Sequence, residues 1–183
     1  MFCESTQDGF RNSEDARAQP QLDCAHPPNV HKNIVLTIPA ELEFVHVLGR
    51  CACALLSEIA GLQEAERTLY NLELAIQEIG VNIVTHAYAD HSGQVVMTAA
   101  RNDAHSHIIV TLEDTGNSFD PLAIPAPALG HLQEHGFGLF LAGELLDELQ
   151  YEIHATGNCW RLKKSYAIDH SSEEGELACK VHP

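Results

Sequence analysis

Three polar side chains suited to chemistry lie in one line along an otherwise apolar segment, residues 72–88, with the sequence LELAIQEIGVNIVTHAY. At a spacing of four the row runs Leu74, Glu78, Asn82, His86. Residues four apart lie above one another on a helix, and apolar neighbours flank this row, where an unpaired carboxylate is costly. Two interpretations stay open: the row lines the floor of a polar ligand pocket, or it forms the half-exposed edge of an ordinary amphipathic helix.

A second candidate site follows a strand-like run that ends at Asp114, in the segment LEDTGNSFDP (112–121). A carboxylate there accepts hydrogen bonds, and Gly116 leaves room for a planar ring to approach the backbone. Such a carboxylate selects an exocyclic amine, as in adenine, and repels the carbonyl oxygen of guanine. The alternative is a plain strand end, since Asp, Gly and Asn all favour turns.

The third candidate site is a pair of glycines, Gly136 and Gly138, where a long loop enters a helix in HGFGLFL (135–141). The N-terminus of a helix offers free backbone N–H groups and a favourable dipole, so it is suited to phosphate. The alternative for this pair is a flexible hinge.

The overall charge is strongly negative, with 10 Lys and Arg against 26 Asp and Glu and a formal net charge of -16. This argues against direct binding of nucleic acid or anionic membranes, because both need clustered cations. A phosphorylated ligand would be held by backbone amides, a metal ion and few basic side chains. No apolar run reaches the length of a membrane helix and the N-terminus lacks a secretory signal pattern, so we expect a cytoplasmic protein.

The six cysteines and twelve histidines are scattered along the chain. The cysteines lack the paired CxxC spacing of a zinc site, and we expect free thiols in a reducing cytoplasm. His105 and His107 would share one face of a strand, but two ligands do not make a metal site.

The elements that must position these residues follow from the hydrophobic periodicity. We predict strands at 33–39, 94–101 and 106–114, helices at 40–58, 65–88 and 137–149, and a hairpin that turns at 156–158. The segment 115–136 is too long for an ordinary connection and is typical of a lid or binding loop. Together these elements predict an α/β two-layer sandwich, with a mixed, mostly antiparallel sheet of about five strands and helices on one face.

Polar, acidic segments flank this unit. With 183 residues the chain is long enough for one ordinary domain plus tails. We predict a flexible N-terminal tail at 1–30, a single domain at 31–167 and an acidic C-terminal tail at 168–183.

The order of these motifs resembles the GHKL ATPase and kinase superfamily, whose nucleotide site is built from an N box and two glycine boxes. A helix with Glu-x3-Asn, two strands, Asp-x-Gly, a long loop and Gly-x-Gly before a helix follow one another as in that superfamily. Within it, the chain is similar to the anti-sigma-factor serine-protein kinases through IPAELEFV, LAIQEIGVNIVTHAY, DTGNSFDP, HGFGLFLAGELLDEL and GNCWRLKKS. The resemblance covers about 33–166 and implies the Bergerat-type ATP-binding fold.

The resemblance also implies a role for each site residue. Glu78 would act as base on the substrate hydroxyl, and Asn82 would give its side-chain oxygen to the Mg²⁺ that bridges the phosphates of ATP. Asp114 would bond adenine, and Gly116 would give the ring room. Other nucleotide-binding residues would shape the pocket or wrap the phosphates, and they are His86, Phe119, Gly136, Phe137, Gly138 and Leu139.

Two features of this site leave alternatives open. His86 and Tyr88 could instead pack and cap the C-terminus of their helix. The loop 115–136 contains no Lys or Arg, whereas related lids often carry a basic residue near the phosphates; His131 and His135 are its only candidates.

The resemblance implies an ATP-dependent serine/threonine kinase of a bacterial partner-switching system. Such a kinase phosphorylates an anti-sigma-factor antagonist of the STAS type and binds a sigma factor or similar regulator, and homodimers are common among such proteins. One alternative is an ATP-binding regulatory module without phosphoryl transfer. Another is the catalytic part of a histidine kinase, for which we expect no room for a dimerising helical hairpin.

Overall fold

The computed structural model describes residues 32–118 and 137–169. These residues form a five-stranded sheet and three α-helices, which confirms the predicted α/β class. In chain order the elements are β1 (Lys32–Pro39), α1 (Leu42–Ser57), α2 (Ala65–Asn82), β2 (Gln94–Asn102), β3 (His107–Asp114), α3 (Phe137–Leu145), β4 (Glu148–His154) and β5 (Gly157–Ser165). A π-helical turn, Ile83–Ala87, extends α2, and a 3₁₀ turn, Asp103–His105, follows β2.

The sheet has the strand order β1-β2-β3-β5-β4, and each of its pairings is antiparallel. The helices pack on one face, with α2 in contact with both α1 and α3. Alternate residues of β2 and β3 point to this face and are buried, as the period of two in a strand requires. They are Val95, Met97, Ala99, Ile108, Val110 and Leu112.

The central helix, α2, is held by a broad apolar face. Leu72, Ala75, Ile76 and Ile79 are all fully buried between the sheet and the neighbouring helices. Burial of each large aliphatic side chain contributes about 1.5–3 kcal/mol, so this face fixes the helix firmly. The polar row along its side is therefore carried on a rigid element.

The helix predicted at 137–149 is too long at its C-terminal end, because α3 ends at Leu145 and β4 begins three residues later, at Glu148. The backbone N–H of Asp147 donates to Lys163 O at 3.0 Å, so the hydrogen bonds go to the sheet from that residue onward. The Lys164 ammonium donates to Leu145 O at 2.8 Å and satisfies one of the carbonyls left free at the end of α3.

Smaller differences concern other element boundaries. α1 begins at Leu42 rather than at residue 40, because Pro39 still pairs with Gln94 in the sheet. The hairpin between β4 and β5 turns at 155–156 rather than at 156–158. At the C-terminal side, Asp169 N donates to Gly61 O at 2.8 Å, so ordered backbone contacts extend past residue 167.

The N-terminal tail, most of the loop 115–136 and the end of the C-terminal tail lie outside the described residues. Within the described ranges, none of the helices has the length and apolarity needed to cross a lipid bilayer.

Candidate functional site

Asp114 ends β3 on the side of the sheet that faces the helices, in register with Val95 of β2 and Asn158 of β5. Only 5% of the residue is exposed. Its Oδ1 atom accepts hydrogen bonds from Gly116 N and Asn158 Nδ2, both at 2.9 Å. Burial raises the pKa of the Asp114 carboxyl, and these two donors oppose that rise. Among the described residues none donates to Oδ2, so this oxygen is left for a ligand.

Gly116 brings the end of β3 against the end of the second helix. A side chain at this position would place its first carbon 2.6 Å from Ala87 O, and Asn117 N donates to the same carbonyl at 2.9 Å. Glycine is needed here for the close approach of two backbones. Its predicted role of giving an adenine ring room stays a prediction.

Tyr88 fixes the same junction from the helix side. Its buried hydroxyl accepts a hydrogen bond from Thr115 N at 2.9 Å and donates one to Gln94 O at 3.0 Å. Of the two interpretations left open for Tyr88, these contacts favour packing at the end of the helix. His86 is exposed on the π-helical turn, a local distortion that is frequent at functional sites.

Glu78 lies where α2 meets the N-terminus of α3. A side chain on Gly138 would collide with the Glu78 carboxylate, so glycine lets the carboxylate lie against the first turn of α3. The backbone N–H groups of a first helical turn have no partner within the helix, and the helix dipole favours negative charge there. This end of the site is therefore suited to hold an anion as well as a carboxylate.

Asn82 occupies the middle of the site, one helical turn beyond Glu78, and is partly buried. Its side chain makes no hydrogen bond with another described residue. The segment from Glu78 to Asn82 is α-helical, and Ile83–Ala87 is the π-helical turn. The strip of residues 78–87 therefore meets Gly138 at its Glu78 end and Gly116 at its Ala87 end.

The remaining predicted binding residues differ in their surroundings. Phe119 and Gly136 lie outside the described residues. Phe137 is exposed, with its ring centre 6.3 Å from that of Phe140. Leu139 is partly buried and packs against the core, so its side chain anchors α3, and only its backbone is left for the predicted contact with phosphate.

Comparison with known proteins identifies the family. A model of the histidine kinase-like ATPase domain matches residues 38–164. The chain belongs to this family. Among its relatives, the serine-protein kinase RsbW of Bacillus cereus (strain AH187) is 31% identical over 128 residues, which cover 65% of this chain and 76% of the relative. RsbW of Bacillus anthracis (strain CDC 684 / NRRL 3495) matches with the same identity and coverage.

A solved structure has the same fold. The RsbU and RsbW domains of Rv1364c from Mycobacterium tuberculosis match with a TM-score of 0.53 and 21% sequence identity, over 74% of this chain and 32% of that chain. At this identity the likeness shows the fold alone. The resemblance predicted from the motifs, to GHKL proteins and their serine-protein kinases, is confirmed as a family relationship, and an ATPase domain implies that the protein binds ATP.

The candidate site includes one residue that the sequence patterns did not predict, Asn158 of β5, of which 3% is exposed. Its Nδ2 donates to Asp114 Oδ1 at 2.9 Å and to Gly116 O at 3.2 Å. Its Oδ1 accepts from Tyr151 OH at 3.0 Å and from Ser118 Oγ at 2.5 Å. An amide has two donor hydrogens and two acceptor positions, so these four bonds use its full capacity.

The sequence signal for Asn158 is the alternation of β5. Trp160 and Leu162 are buried toward the helices, and counting back by two reaches Asn158. The Gly-Asn pair favours a turn instead, which hides the strand position from local reasoning.

Basic side chains of the ATPase domain lie away from the site. Arg101 is at the opposite end of β2, where its Nη1 donates to Leu55 O at 2.6 Å. Lys164 is bound to the C-terminal end of α3. Arg161 alternates with the buried residues of β5, so it lies on the other face of the sheet.

Proposed function

We propose that this protein is an Mg²⁺-ATP-dependent serine/threonine kinase that acts on another protein. The observation that supports this most is the place of Glu78, whose carboxylate lies against Gly138 at the N-terminus of α3, one turn before Asn82. A base, an amide oxygen for a metal and a helix terminus for phosphate then meet at one point.

The described residues fit ATP at both ends of the strip. At one end Asp114 Oδ2 accepts a hydrogen bond from the adenine amine. At the other end the free N–H groups at the start of α3 bind phosphate oxygens.

Asn82 fits Mg²⁺ as a single oxygen ligand. Magnesium keeps several water molecules and is commonly held by one or two protein oxygens together with substrate phosphates. The strip supplies one such oxygen in the side-chain amide of Asn82, which is partly buried. When bound, the ion supplies positive charge against the triphosphate.

In the transfer step Glu78 takes the proton of the substrate hydroxyl. The hydroxyl oxygen forms a bond to the γ-phosphorus while the bond to the bridging oxygen of ADP breaks, and ADP leaves. The rigid placement of Glu78 on α2 contributes orientation, which is a large part of catalysis in phosphoryl transfer.

The substrate that we propose is a serine or threonine on an anti-sigma-factor antagonist of the STAS type. The chain also binds a sigma factor or similar regulator, and phosphorylation of the antagonist changes which partner is held. Support comes from the resemblance of the motifs to anti-sigma-factor kinases and from relatives that are named serine-protein kinases. A cytoplasmic location and a homodimer belong to the same proposal.

One observation favours a second candidate function, an ATP-binding regulatory module without transfer. The loop 115–136 has no Lys or Arg, and among the described residues no Lys or Arg pairs with Glu78 or Asp114. Developing charge in a transition state is normally stabilised by such groups. A site without them can hold Mg²⁺-ATP through amides and metal and still fail to transfer.

The test is transfer of label from γ-labelled ATP, with Mg²⁺, to the cognate antagonist. We expect label on the antagonist with the wild type, and a loss of about 10²–10⁴-fold in Glu78→Gln with ATP binding kept. Glu66→Gln, at the exposed start of the same helix, is the control and should label normally. A wild type that binds ATP and labels nothing would establish the regulatory module instead.

A further inference from the structure

We propose that Asn158 is a positioning residue that sets the adenine specificity of the site, by holding the Asp114 carboxylate in one orientation. This inference rests on the proposed ATP site. Its geometric basis is the pairing of Asp114 and Asn158 across β3 and β5, where both side chains are buried and face the helices.

The Asp114 carboxylate is held asymmetrically. Both of its protein donors, Gly116 N and Asn158 Nδ2, bind the same oxygen, Oδ1. A carboxylate that is held through one oxygen presents the other in a fixed direction. That second oxygen can then act as a pure acceptor for an exocyclic amine, as in adenine, and it repels the carbonyl oxygen that guanine has at the same place.

The orientation of the Asn158 amide is determined by its hydrogen-bond partners. Two acceptors, Asp114 Oδ1 and Gly116 O, lie on the side of its nitrogen. Two hydroxyl groups, of Ser118 and Tyr151, lie on the side of its oxygen. Reversal of the amide would place acceptor against acceptor, so Asn158 can only donate toward Asp114.

A neutral hydrogen-bond donor is the group suited to the position beside Asp114. Asp114 is buried without a cation, and a protonated carboxyl would no longer be a pure acceptor. A donor on Oδ1 stabilises the ionised form and so keeps the acceptor available at neutral pH. The other titratable groups packed at this junction are the phenols of Tyr88 and Tyr151 and, at the helix end, the imidazoles of His86 and His91.

The experiment compares ATP and GTP affinity by calorimetry, from pH 5.5 to 8.5, in the wild type and in variants of Asn158. In Asn158→Leu we expect ATP affinity at pH 7 to fall about ten- to a hundredfold, because a hydrogen bond to a charged group is lost. GTP affinity should not fall in parallel, so the preference for adenine collapses. The pH below which ATP affinity falls (the acid limb) should also rise, since Asp114 becomes easier to protonate.

Three further variants keep the test decisive. Asn158→Thr retains a donor toward Asp114 and should recover most of the ATP preference. Asn158→Asp keeps the shape but replaces the N–H donors by a second carboxyl, and at the alkaline end of the pH range, where both carboxyls ionise, it should lose the preference as Asn158→Leu does. Asn33→Leu, an exposed position on β1, makes the same chemical change elsewhere and should leave binding unchanged. Where Asn158→Leu does not fold by circular dichroism, the Thr and Asp variants give the answer.

The outcomes separate this inference from the proposed function. A wild type that does not bind ATP overturns the proposed function and the inference with it. A wild type that prefers ATP, with Asn158→Leu or Asn158→Asp keeping that preference and the acid limb, overturns the inference alone. A loss of stability in these variants without a change in the ATP to GTP ratio shows a purely structural role and likewise overturns it.

Discussion

Two aspartates at opposite ends of the sheet, Asp103 and Asp114, are treated in opposite ways by the fold. Asp103 is half exposed and bound by the Arg101 guanidinium, with Nη2 to Oδ2 at 3.1 Å, and by Tyr166 OH at 3.2 Å. The hydrogen bond from Arg101 lowers the pKa of the Asp103 carboxyl, whereas burial raises the pKa of Asp114. One carboxylate stabilises the fold when ionised, whereas burial of the other costs stability when it is ionised.

The two ends of the sheet also differ in their basic side chains. Arg101 donates to Leu55 O near the C-terminal end of α1, and Lys164 donates to Leu145 O at the C-terminal end of α3. Both therefore satisfy carbonyls that a helix leaves free, at the negative end of its dipole. The positive end of α3 lies against Glu78. These two cations therefore stabilise the fold, while the candidate site combines a helix N-terminus with side-chain amides.

At the Asp114 end of the sheet, the variant with the largest expected effect on ATP binding is Asp114→Asn. The amide keeps an oxygen for Gly116 N and Asn158 Nδ2 but places N–H donors where the adenine amine would donate, so we expect ATP affinity to fall about a hundredfold. By linkage, the raised pKa of Asp114 means that its ionised form costs stability above that pKa, and the cost disappears as the pH falls below it. At neutral pH the variant should unfold at the same or a higher temperature than the wild type.

Calorimetry with ATP and a thermal melt at pH 7 measure both effects. Glu113→Gln, the neighbouring carboxylate on the other face of β3, serves as the control. Unchanged ATP affinity in Asp114→Asn would remove this residue from the nucleotide site.

At the Asp103 end of the sheet, Arg101→Met should reduce stability without changing nucleotide affinity. The side chain is 5% exposed and its hydrogen bond to Leu55 O is lost, so we expect the free energy of unfolding to fall by about 2 kcal/mol. Denaturant unfolding measures this change. Arg50→Met is the matched control, because its ion pair with Glu73 is exposed and contributes less than about 1 kcal/mol. A weaker effect in Arg101→Met than in Arg50→Met, or a loss of ATP affinity in the folded variant, would contradict the division between the two ends.

The parts of the candidate site also differ in how far the sequence predicts their contacts. The Glu78 and Asn82 row follows from the helical period alone, because it needs only local geometry. The contact of Asn158 with Asp114 depends on the register between β3 and β5, which no local pattern encodes. The end of α3 at Leu145 has the same origin, since pairing with β5 overrides the helical propensity of the following residues.

Lys164→Met removes the second of these basic side chains, and we expect a smaller loss of stability than in Arg101→Met. The ammonium is 18% exposed, donates to Leu145 O and lies 3.7 Å from Asp147 Oδ1. A cation at a helix C-terminus contributes about 1 kcal/mol, so the free energy of unfolding should fall by that amount. Lys163→Met, next in the chain on the other face of the sheet, should have a weaker effect. Equal losses in both variants would mean that the cap on α3 adds nothing beyond a surface ion pair.

The smallest expected effect concerns Asp103, and it disappears in acid. Because the folded pKa of Asp103 lies below its unfolded value of about 3.9, its stabilising contribution is fully present above that pH and is lost as the pH falls through the folded pKa. Since the side chain is half exposed, Asp103→Asn should cost less than about 1 kcal/mol at pH 7. Urea unfolding from pH 2 to 7 should show a shallower loss of stability below about pH 4 in the variant than in the wild type. Asp90→Asn, in an exposed turn, should follow the wild-type curve, and a variant Asp103→Asn that does the same would show that Arg101 is held by Leu55 O alone.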